Sequence, residues 1–320
     1  MKYTILVPLF NEEANITELY ARLKAVVEAI PNEFEFVFVD DGSTDRTFQI
    51  LEQIASVDSR VTAVRLGRNF GQTDALVAGL EQAAGDYVIT MDGDLQHDPN
   101  DIPAFLEKIA EGYDVICGWR AQRNDHLVAR RLPSRVANWV MAKISGLEIH
   151  DFGTGFKAFR RDLVKQLPLY GQLHRFIPAL AHQYGARICE VPIHIEPRTH
   201  GKSHYGLGRI LPVFFDLLTI RFLLRYLSRP MHFFGSVGML ALAAGSSIAG
   251  WLAVSKMLFG THIMQEHGPL MILSAILILA GLQLLSIGLL GELHVRHFHQ
   301  RLTGFWNAKV LSKKRRRISS

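Results

Sequence analysis

Two long apolar runs in the last third of the chain, Phe233 to Phe259 and Gly268 to Leu293, restrict what it can fold into more than any other feature. As a helix, each is long enough to cross about 30 Å of hydrocarbon. The short polar stretch His262 to His267 separates them, so the pair reads as a hairpin of spanning helices. No Lys or Arg occurs from Thr261 to His267. Arg221, Arg225 and Arg229 precede the first run, and Arg296, Arg301 and the cluster Lys313 to Arg317 follow the second. The positive-inside rule then places both ends of the chain in the cytosol and the hairpin tip outside. Strand-like Tyr3 to Leu9 starts almost at once, so no signal peptide is expected.

The formal charge of +5 raises the question of nucleic acid, but Lys313 to Arg317 at the tail supply five of the basic residues in one run. A nucleic-acid binder would spread charge over a folded face. Anionic membrane lipids are the expected partner of such a tail, and nucleic acid is not. Cys117 and Cys189 are the two cysteines, each in an apolar, strand-like stretch. That usage argues against a disulfide framework or a cysteine zinc site and fits a reduced compartment.

Before the hairpin, short β-branched runs alternate with amphipathic stretches: Tyr3–Leu9, Asn15–Ala29, Glu35–Asp40, Thr44–Val57, Val61–Leu66, Asp74–Ala84 and Tyr87–Asp92. This alternation predicts a Rossmann-like α/β fold with a parallel sheet. Further strands are expected at Asp114–Trp119 and Arg187–Glu196, with a loop at Asp151–Lys157 between them. The domain plan that follows is a catalytic domain over residues 1–206, an amphipathic interfacial helix over 207–230, the hairpin over 231–293 and a basic tail over 294–320.

Polar clusters stand where the strands end: Asn11-Glu12-Glu13, Asp41-Gly42-Ser43, and Asp92-Gly93-Asp94 with Gln96. In open α/β sheets ligands bind beyond the carboxyl ends of the strands, so these clusters converge on one crevice. Asp92 and Asp94 bracket a glycine, and hard divalent cations such as Mg²⁺ or Mn²⁺ take oxygen ligands of this kind while binding a diphosphate. Asp94 and Gln96 are candidate ligands, and Asp92 reaches either the metal or a ribose. Turns are also rich in Asp, so this pair alone fits a turn equally well. Asp41 is placed to accept hydrogen bonds from a base or ribose, while Ser43 and Asp45 fit helix capping.

Taken together, Val7-Pro8 with Asn11-Glu12-Glu13, Val39-Asp40-Asp41-Gly42-Ser43, Arg68-Asn69-Phe70-Gly71 and Asp92-Gly93-Asp94-Leu95-Gln96-His97-Asp98-Pro99 resemble glycosyltransferase family 2. Within it, the chain is similar to the polyprenyl-phosphate hexosyltransferases, and the similarity runs on into the spanning helices and Gly291-Glu292. The resemblance implies a GT-A fold with a nucleotide-sugar in the crevice. It implies that Pro8, Phe10, Glu12, Val39 and Asp41 line the nucleoside pocket, that Asp92, Gly93 and Asp94 meet the diphosphate, and that Asp92, Asp94 and Gln96 hold the metal. Arg120 matches a basic residue near the donor phosphates. Arg198, in Arg198-x-x-Gly201-x-Ser203, matches the arginine of a loop that closes over the pyrophosphate, with Asp94, Arg120 and Arg198 as the catalytic set. Relatives commonly carry Lys after that Ser; here His204 stands there and Lys202 two residues earlier, and either supplies the charge.

A polyprenyl phosphate acceptor calls for a phosphate site, and Arg123, Arg130, Arg131 and Arg135 offer one. A solvated basic surface accounts for them equally well. Asp151, in Asp151-Phe152-Gly153-Thr154-Gly155-Phe156-Lys157, resembles a family loop near the acceptor, and such a glycine-rich segment also suits a turn. The expected reaction is inverting transfer of one hexose, with UDP-glucose the first donor and GDP-mannose the next, at the cytosolic face of a bacterial inner membrane. A processive polysaccharide synthase would bring more spanning helices and a Gln-x-x-Arg-Trp motif, neither of which occurs. An inactive scaffold would have lost Asp41, Asp92 or Asp94, all of which are kept. Ala241, Gly245 and Ala249 form a small-residue face that permits close helix contact; it admits a homo-oligomer, and lipid packing without self-association accounts for it too.

Overall fold

A computed structural model of the chain describes residues 1–121, 141–143, 145–196, 230–260 and 262–302, without the side chains of 263 and 294–302. Arg123, Arg130, Arg131, Arg135, Arg198, Lys202, His204, the expected interfacial helix and the basic tail lie outside the described residues. The chain divides into two compact units, Met1–Leu218 and Thr219–Ser320.

In the first unit, strands β1 (Lys2–Leu9), β2 (Glu33–Asp40), β3 (Val61–Arg65) and β4 (Tyr87–Thr90) alternate with helices α1 (Ile16–Glu28), α2 (Thr47–Val57) and α3 (Gln72–Gln82). After α4 (Ile102–Ala110) come β5 (Val115–Trp119), β6 (Lys157–Arg160), α5 (Arg161–Val164), α6 (Ile177–Gln183) and β7 (Ile188–Pro192). They form a seven-stranded sheet in the order β3-β2-β1-β4-β6-β5-β7. The α/β expectation holds.

Helix α1 forms because Ile16, Leu19, Leu23 and Val27 recur at helical spacing and are all buried against the sheet. Strands β1 and β2 are buried almost along their whole length, as a sheet covered on both faces requires. Gly79 permits close approach of α3, since a Cβ there would run into the side chains of Leu6 and Val39. Phe36 and Phe38 stack at 6.2 Å beneath α1, and Phe105 of α4 stacks on Phe156 at 4.4 Å.

Two boundaries depart from the sequence expectation in ways that matter. Strand β4 stops at Thr90, so Asp92 and Asp94 sit in a turn beyond it. Strand β6 was not expected; it runs antiparallel between β4 and β5, with Lys157 opposite both Thr90 and Cys117. The four-residue strand Lys-Ala-Phe-Arg carries too short a pattern to register as a strand by alternation. Cys117 and Cys189 are unpaired, as expected.

The second unit contains helices Pro230–Phe259 and Gly268–Leu302, joined through a short helix Ile263–Glu266. Their apolar spans cover Pro230–Phe259 and Gly268–Leu293. Small residues form the seam. A Cβ added at Gly245 would lie 2.9 Å from Ser274 O, one added at Gly238 2.9 Å from Gly281 O, and Ser274 Oγ donates to Gly245 O at 3.0 Å. Gly245, expected on a small-residue face that permits close helix contact, makes that contact with the second helix of its own hairpin.

Candidate active site

Because β1, β2 and β4 are parallel neighbours, their carboxyl ends open on one edge. Pro8 and Val39 are register partners there, and Asp41 N donates to Leu9 O at 2.8 Å. The loops that follow β1 and β2 are laced together. Asn11 N donates to Ser43 Oγ at 2.8 Å, Thr44 N to Asn11 Oδ1 at 2.9 Å, and Glu12 N to Thr47 Oγ1 at 2.9 Å. Asn11 holds φ at 55°, a left-handed conformation that Asn tolerates better than most residues. Ser43, expected to cap α2, braces the neighbouring loop instead. Asp45 does both: Oδ1 accepts from Thr47 N at 2.9 Å and Oδ2 from Glu13 N at 3.2 Å.

Asp41 is 4% exposed, and its two carboxylate oxygens accept from Phe70 N at 2.8 Å and Gly71 N at 2.9 Å. It fastens the Arg68-to-Gly71 loop beside the crevice, a bond the sequence did not suggest. Gly42 is required here: φ is +70°, and a Cβ would overlap the backbone of Arg68 and Asn69. Phe10 is 41% exposed and Phe70 50% exposed at the rim, with the Arg68 guanidinium over the Phe70 ring at 4.6 Å. Exposed aromatic faces next to an acid-fastened loop suit a nucleoside.

The acidic turn follows β4. Asp92 Oδ1 accepts from Gln72 Nε2 at 2.8 Å, and Asp92 Oδ2 lies 3.9 Å from His97 Nδ1. Asp94 Oδ1 accepts from Gln96 N at 3.2 Å, and Gln96 O accepts from Glu196 N at 2.9 Å. Leu95, with φ at 60° and 2% exposed, holds the turn in a conformation costly for a non-glycine residue. Gly93 leaves no room for a side chain: a Cβ would overlap Leu9 and stand 3.6 Å from Glu12 Cγ. The turn that carries the carboxylates is thereby seated against the β1 loop. His97 is buried, and that burial pushes its imidazole below its ordinary value against the pull of Asp92 and Asp94. Among the described residues no three His, Cys, Asp or Glu side chains form a ready-made cation cage. Asp92, Asp94 and Gln96 offer oxygen ligands only. They fit a hard divalent cation that completes its shell with nucleotide phosphates, and they suit soft metals poorly.

Arg120 follows β5, and the structure brings it onto Asp151. Nε donates to Oδ2 at 2.6 Å and Nη2 to Oδ1 at 3.0 Å, a two-pronged pair. Two residues expected on opposite sides of the reaction, one at the donor phosphates and one at the acceptor, are thus joined. Asp151 is seated by its backbone N, which donates to Glu190 Oε1 at 3.0 Å, and by Gly153 N, which donates to Oδ1 at 3.1 Å. Burial pushes the Asp151 carboxyl up, but the bonds and charge of Arg120 outweigh it and hold the group below the usual carboxylate range.

Behind the turn lies a cavity of about 20 Å³ walled by Pro8, Gln72, Asp92, Gly155, Lys157 and His174, among others. Thr73 Oγ1 lies 2.5 Å from Gly171 O and 2.6 Å from His174 Nδ1. A carbonyl only accepts, so the hydroxyl proton goes to Gly171 O and His174 Nδ1 must carry its own proton. Burial, reinforced by the charges of Lys157 and Arg175, pushes His174 down to about 3, so the ring is neutral at ordinary pH. Gln72, Lys157 and His174 were missed as site residues. Gln72 adjoins a recognised motif and Lys157 ends one, whereas His174 carries no local signal.

Comparison with known proteins agrees with this architecture. The Glycosyl transferase family 2 signature matches residues 4–168. Dodecaprenyl-phosphate galacturonate synthase of Rhizobium johnstonii is 37% identical over 304 residues, covering 94% of this chain and 89% of that protein. Undecaprenyl-phosphate 4-deoxy-4-formamido-L-arabinose transferase of Pseudomonas aeruginosa is 38% identical over 290 residues, covering 90% of this chain and 84% of that protein. Among solved structures, glucosyl-3-phosphoglycerate synthase from Mycobacterium tuberculosis, in complex with Mn²⁺, UDP-glucose and glycerol 3-phosphate, aligns with a TM-score of 0.51 at 21% identity. That alignment covers 69% of this chain and 79% of that one, and it supports the GT-A-like fold. The acidic turn, the laced strand-end loops and the sequence relatives lead to one conclusion: the chain is a glycosyltransferase and belongs to glycosyl transferase family 2.

Proposed function

We propose that the chain transfers one sugar, with inversion, from a nucleotide-sugar to a polyprenyl phosphate at the cytosolic face of the membrane that its hairpin crosses. The observation that carries this reading is the Asp92-to-Gln96 turn with its two carboxylates, in which Asp92 accepts from Gln72, next to the Asp41-fastened loop, and abuts Gly155 of the loop that bears Asp151. The acceptor follows from the relatives, which act on dodecaprenyl and undecaprenyl phosphates by name, and from the two apolar helices. The donor is proposed as a uridine-diphosphate sugar, either glucose or one of the modified sugars in those names, galacturonate and 4-deoxy-4-formamido-L-arabinose.

A lipid phosphate is already anionic at neutral pH, so attack on the anomeric carbon needs no strong base, and the site's task is to steady the leaving diphosphate and align the reactants. Asp94 and Gln96, with Asp92, would hold Mg²⁺ or Mn²⁺, which when bound neutralises charge on the diphosphate. Pro8, Phe10, Glu12, Val39 and the loop fastened by Asp41 would hold the nucleoside. Gln72 and Gly155 keep the Asp92 carboxylate in place. Arg198 with Lys202 or His204 is proposed to close over the pyrophosphate, and Arg123, Arg130 and Arg131 to receive the lipid phosphate. Asp151, bonded to the guanidinium at two points, would hold Arg120 for the donor phosphates.

The test incubates detergent-purified protein with polyprenyl phosphate, Mg²⁺ or Mn²⁺ and labelled UDP-glucose, UDP-galacturonate, UDP-4-deoxy-4-formamido-L-arabinose or GDP-mannose. Metal-dependent label in the organic phase from one donor, lost in Asp94→Ala, is the expected result. Nucleotide binding without lipid-phase label from any donor would overturn the acceptor.

A further inference from the structure

Lys157 is a buried charge that the transfer chemistry described above leaves unused. Lys157 is 2% exposed, at the start of β6, with no carboxylate among its hydrogen-bond partners. Its Nζ donates instead to two carbonyls of the preceding loop, Thr154 O at 2.5 Å and Phe152 O at 3.2 Å. The rest of that loop is fixed from other sides. Thr90 Oγ1 donates to Gly155 O at 2.8 Å, Gly118 N to Phe156 O at 2.9 Å, and Phe156 N to Thr154 Oγ1 at 3.2 Å. Burying an ammonium without a carboxylate in contact is costly, and a neutral side chain that packed equally well would cost less. Structure alone gives a weak reason to keep it.

The loop it holds touches the chemistry at both ends. At one end Gly155 lies so close to Asp92 that a Cβ would overlap the carboxylate. At the other end Asp151 holds Arg120 in the two-pronged pair, with Gly153 close by. Lys157 also lines the small cavity behind Asp92, between these ends. We propose that Lys157 is a positioning residue for the transfer reaction, its ammonium drawing in the 152–154 carbonyls so that Gly155 abuts Asp92 while Asp151 aims Arg120. Burial pushes the Lys157 amine below its ordinary value, against Asp151 and Asp92, which draw it towards the charged form. The inference rests on the glycosyltransferase assignment and is independent of which sugar is the donor.

The test compares Lys157→Met, which keeps length and removes donors and charge, with Lys157→Arg, which keeps both. Wild type and variants are assayed with whichever donor of the panel wild type uses, and folding is followed by thermal unfolding and by UDP binding. If wild type labels no lipid, release of sugar to water supplies the rates, so failure of the acceptor reading shows separately. A displacement of reacting groups by about 1 Å costs about a hundredfold in rate. Folded Lys157→Met is therefore expected to lose about a hundredfold in kcat. Its donor KM should move less than about threefold, because the nucleoside loops are fastened to one another, Asn11 to Ser43 and Asp41 to Phe70 and Gly71, and not by Lys157. Lys157→Arg should recover about tenfold of that loss. A folded Lys157→Met within about threefold of wild-type kcat, or Lys157→Arg no better than Lys157→Met, overturns the proposal. Should Lys157→Met fail to fold, Gly155→Ala presses the same contact from the other side. A drop in kcat of about tenfold or more supports the proposal, and an unchanged kcat overturns it.

Discussion

The Arg120–Asp151 pair can be measured as a coupling energy. Asp151 is 9% exposed at its side chain and Arg120 21%, and the bonds between them are 2.6 and 3.0 Å. Removing one partner of a buried pair costs about 3–5 kcal/mol, most of it the stranded charge. Arg120 keeps some contact with water, so Asp151→Ala is expected at the low end, about 3 kcal/mol. For a unit of this size a kilocalorie moves Tm by about 2–4 °C, which gives a fall of about 6–12 °C. Arg120→Met strands the more deeply buried Asp151 and should cost at least as much. The double variant leaves neither charge stranded and should cost about 2–3 kcal/mol less than the two single variants summed. Thermal unfolding of the four proteins in one detergent supplies the cycle. The pH dependence adds a sign. Asp151 is depressed in the folded state, so its contribution is fully present above the unfolded carboxyl value of about 4 and fades as pH falls through the folded value. The gap between wild type and Asp151→Ala should hold constant from pH 5 to about pH 8 and close only below about pH 4. Single variants that add to within about 0.5 kcal/mol, or a gap that closes near neutrality, would refute the reasoning.

Three other outcomes are expected. Asp94→Asn should lower metal-dependent kcat by about a thousandfold or more while UDP binding without metal persists, measured by turnover and calorimetry. Asp41→Ala removes an acceptor of two backbone N–H groups and should raise donor KM by about tenfold or more with a smaller change in kcat, read from initial rates. His174 titrates far below its ordinary value, so wild type should lose stability as pH falls from about 6.5 towards 3, at about 1.4 kcal/mol per pH unit. Between pH 7 and 5 that amounts to about 2 kcal/mol which His174→Gln should not lose; parallel Tm changes in the two proteins would count against a neutral buried His174.

Much of the fold was legible because its signals are local. Hydrophobic spacing marked α1 and α3, strand-end acids marked the crevice, and two uninterrupted apolar runs marked the hairpin. The motif residues of β1, β2 and β4 do meet at one edge, since parallel strands put their carboxyl ends together. What was not legible depends on partners distant in sequence. Asp41 fastens amides about 30 residues away at Phe70 and Gly71. Arg120 meets Asp151 only because β6 returns between β4 and β5, and β6 has too few residues to announce itself. Ser43 looked like a helix cap because any Ser before a helix does, yet its oxygen is taken by Asn11 N. Gly245 was legible as a place of close helix contact, but sequence spacing does not say which helix a small face meets.

The placement of β6 explains why Asp92 and Arg120, both proposed to serve the donor, need not be positioned separately. It is paired to β4, whose end bears the acidic turn, and to β5, whose end bears Arg120. The loop entering it carries Asp151 at one end and Gly155 at the other, and both of its ends press on groups delivered by those neighbours. A shift of that loop would therefore move the Asp92 wall and the Arg120 aim together. Errors on the two sides would be correlated, and the distance between them better kept than if two independent loops carried them. Lys157, the first residue of β6, holds the loop at the point where such a shift would begin.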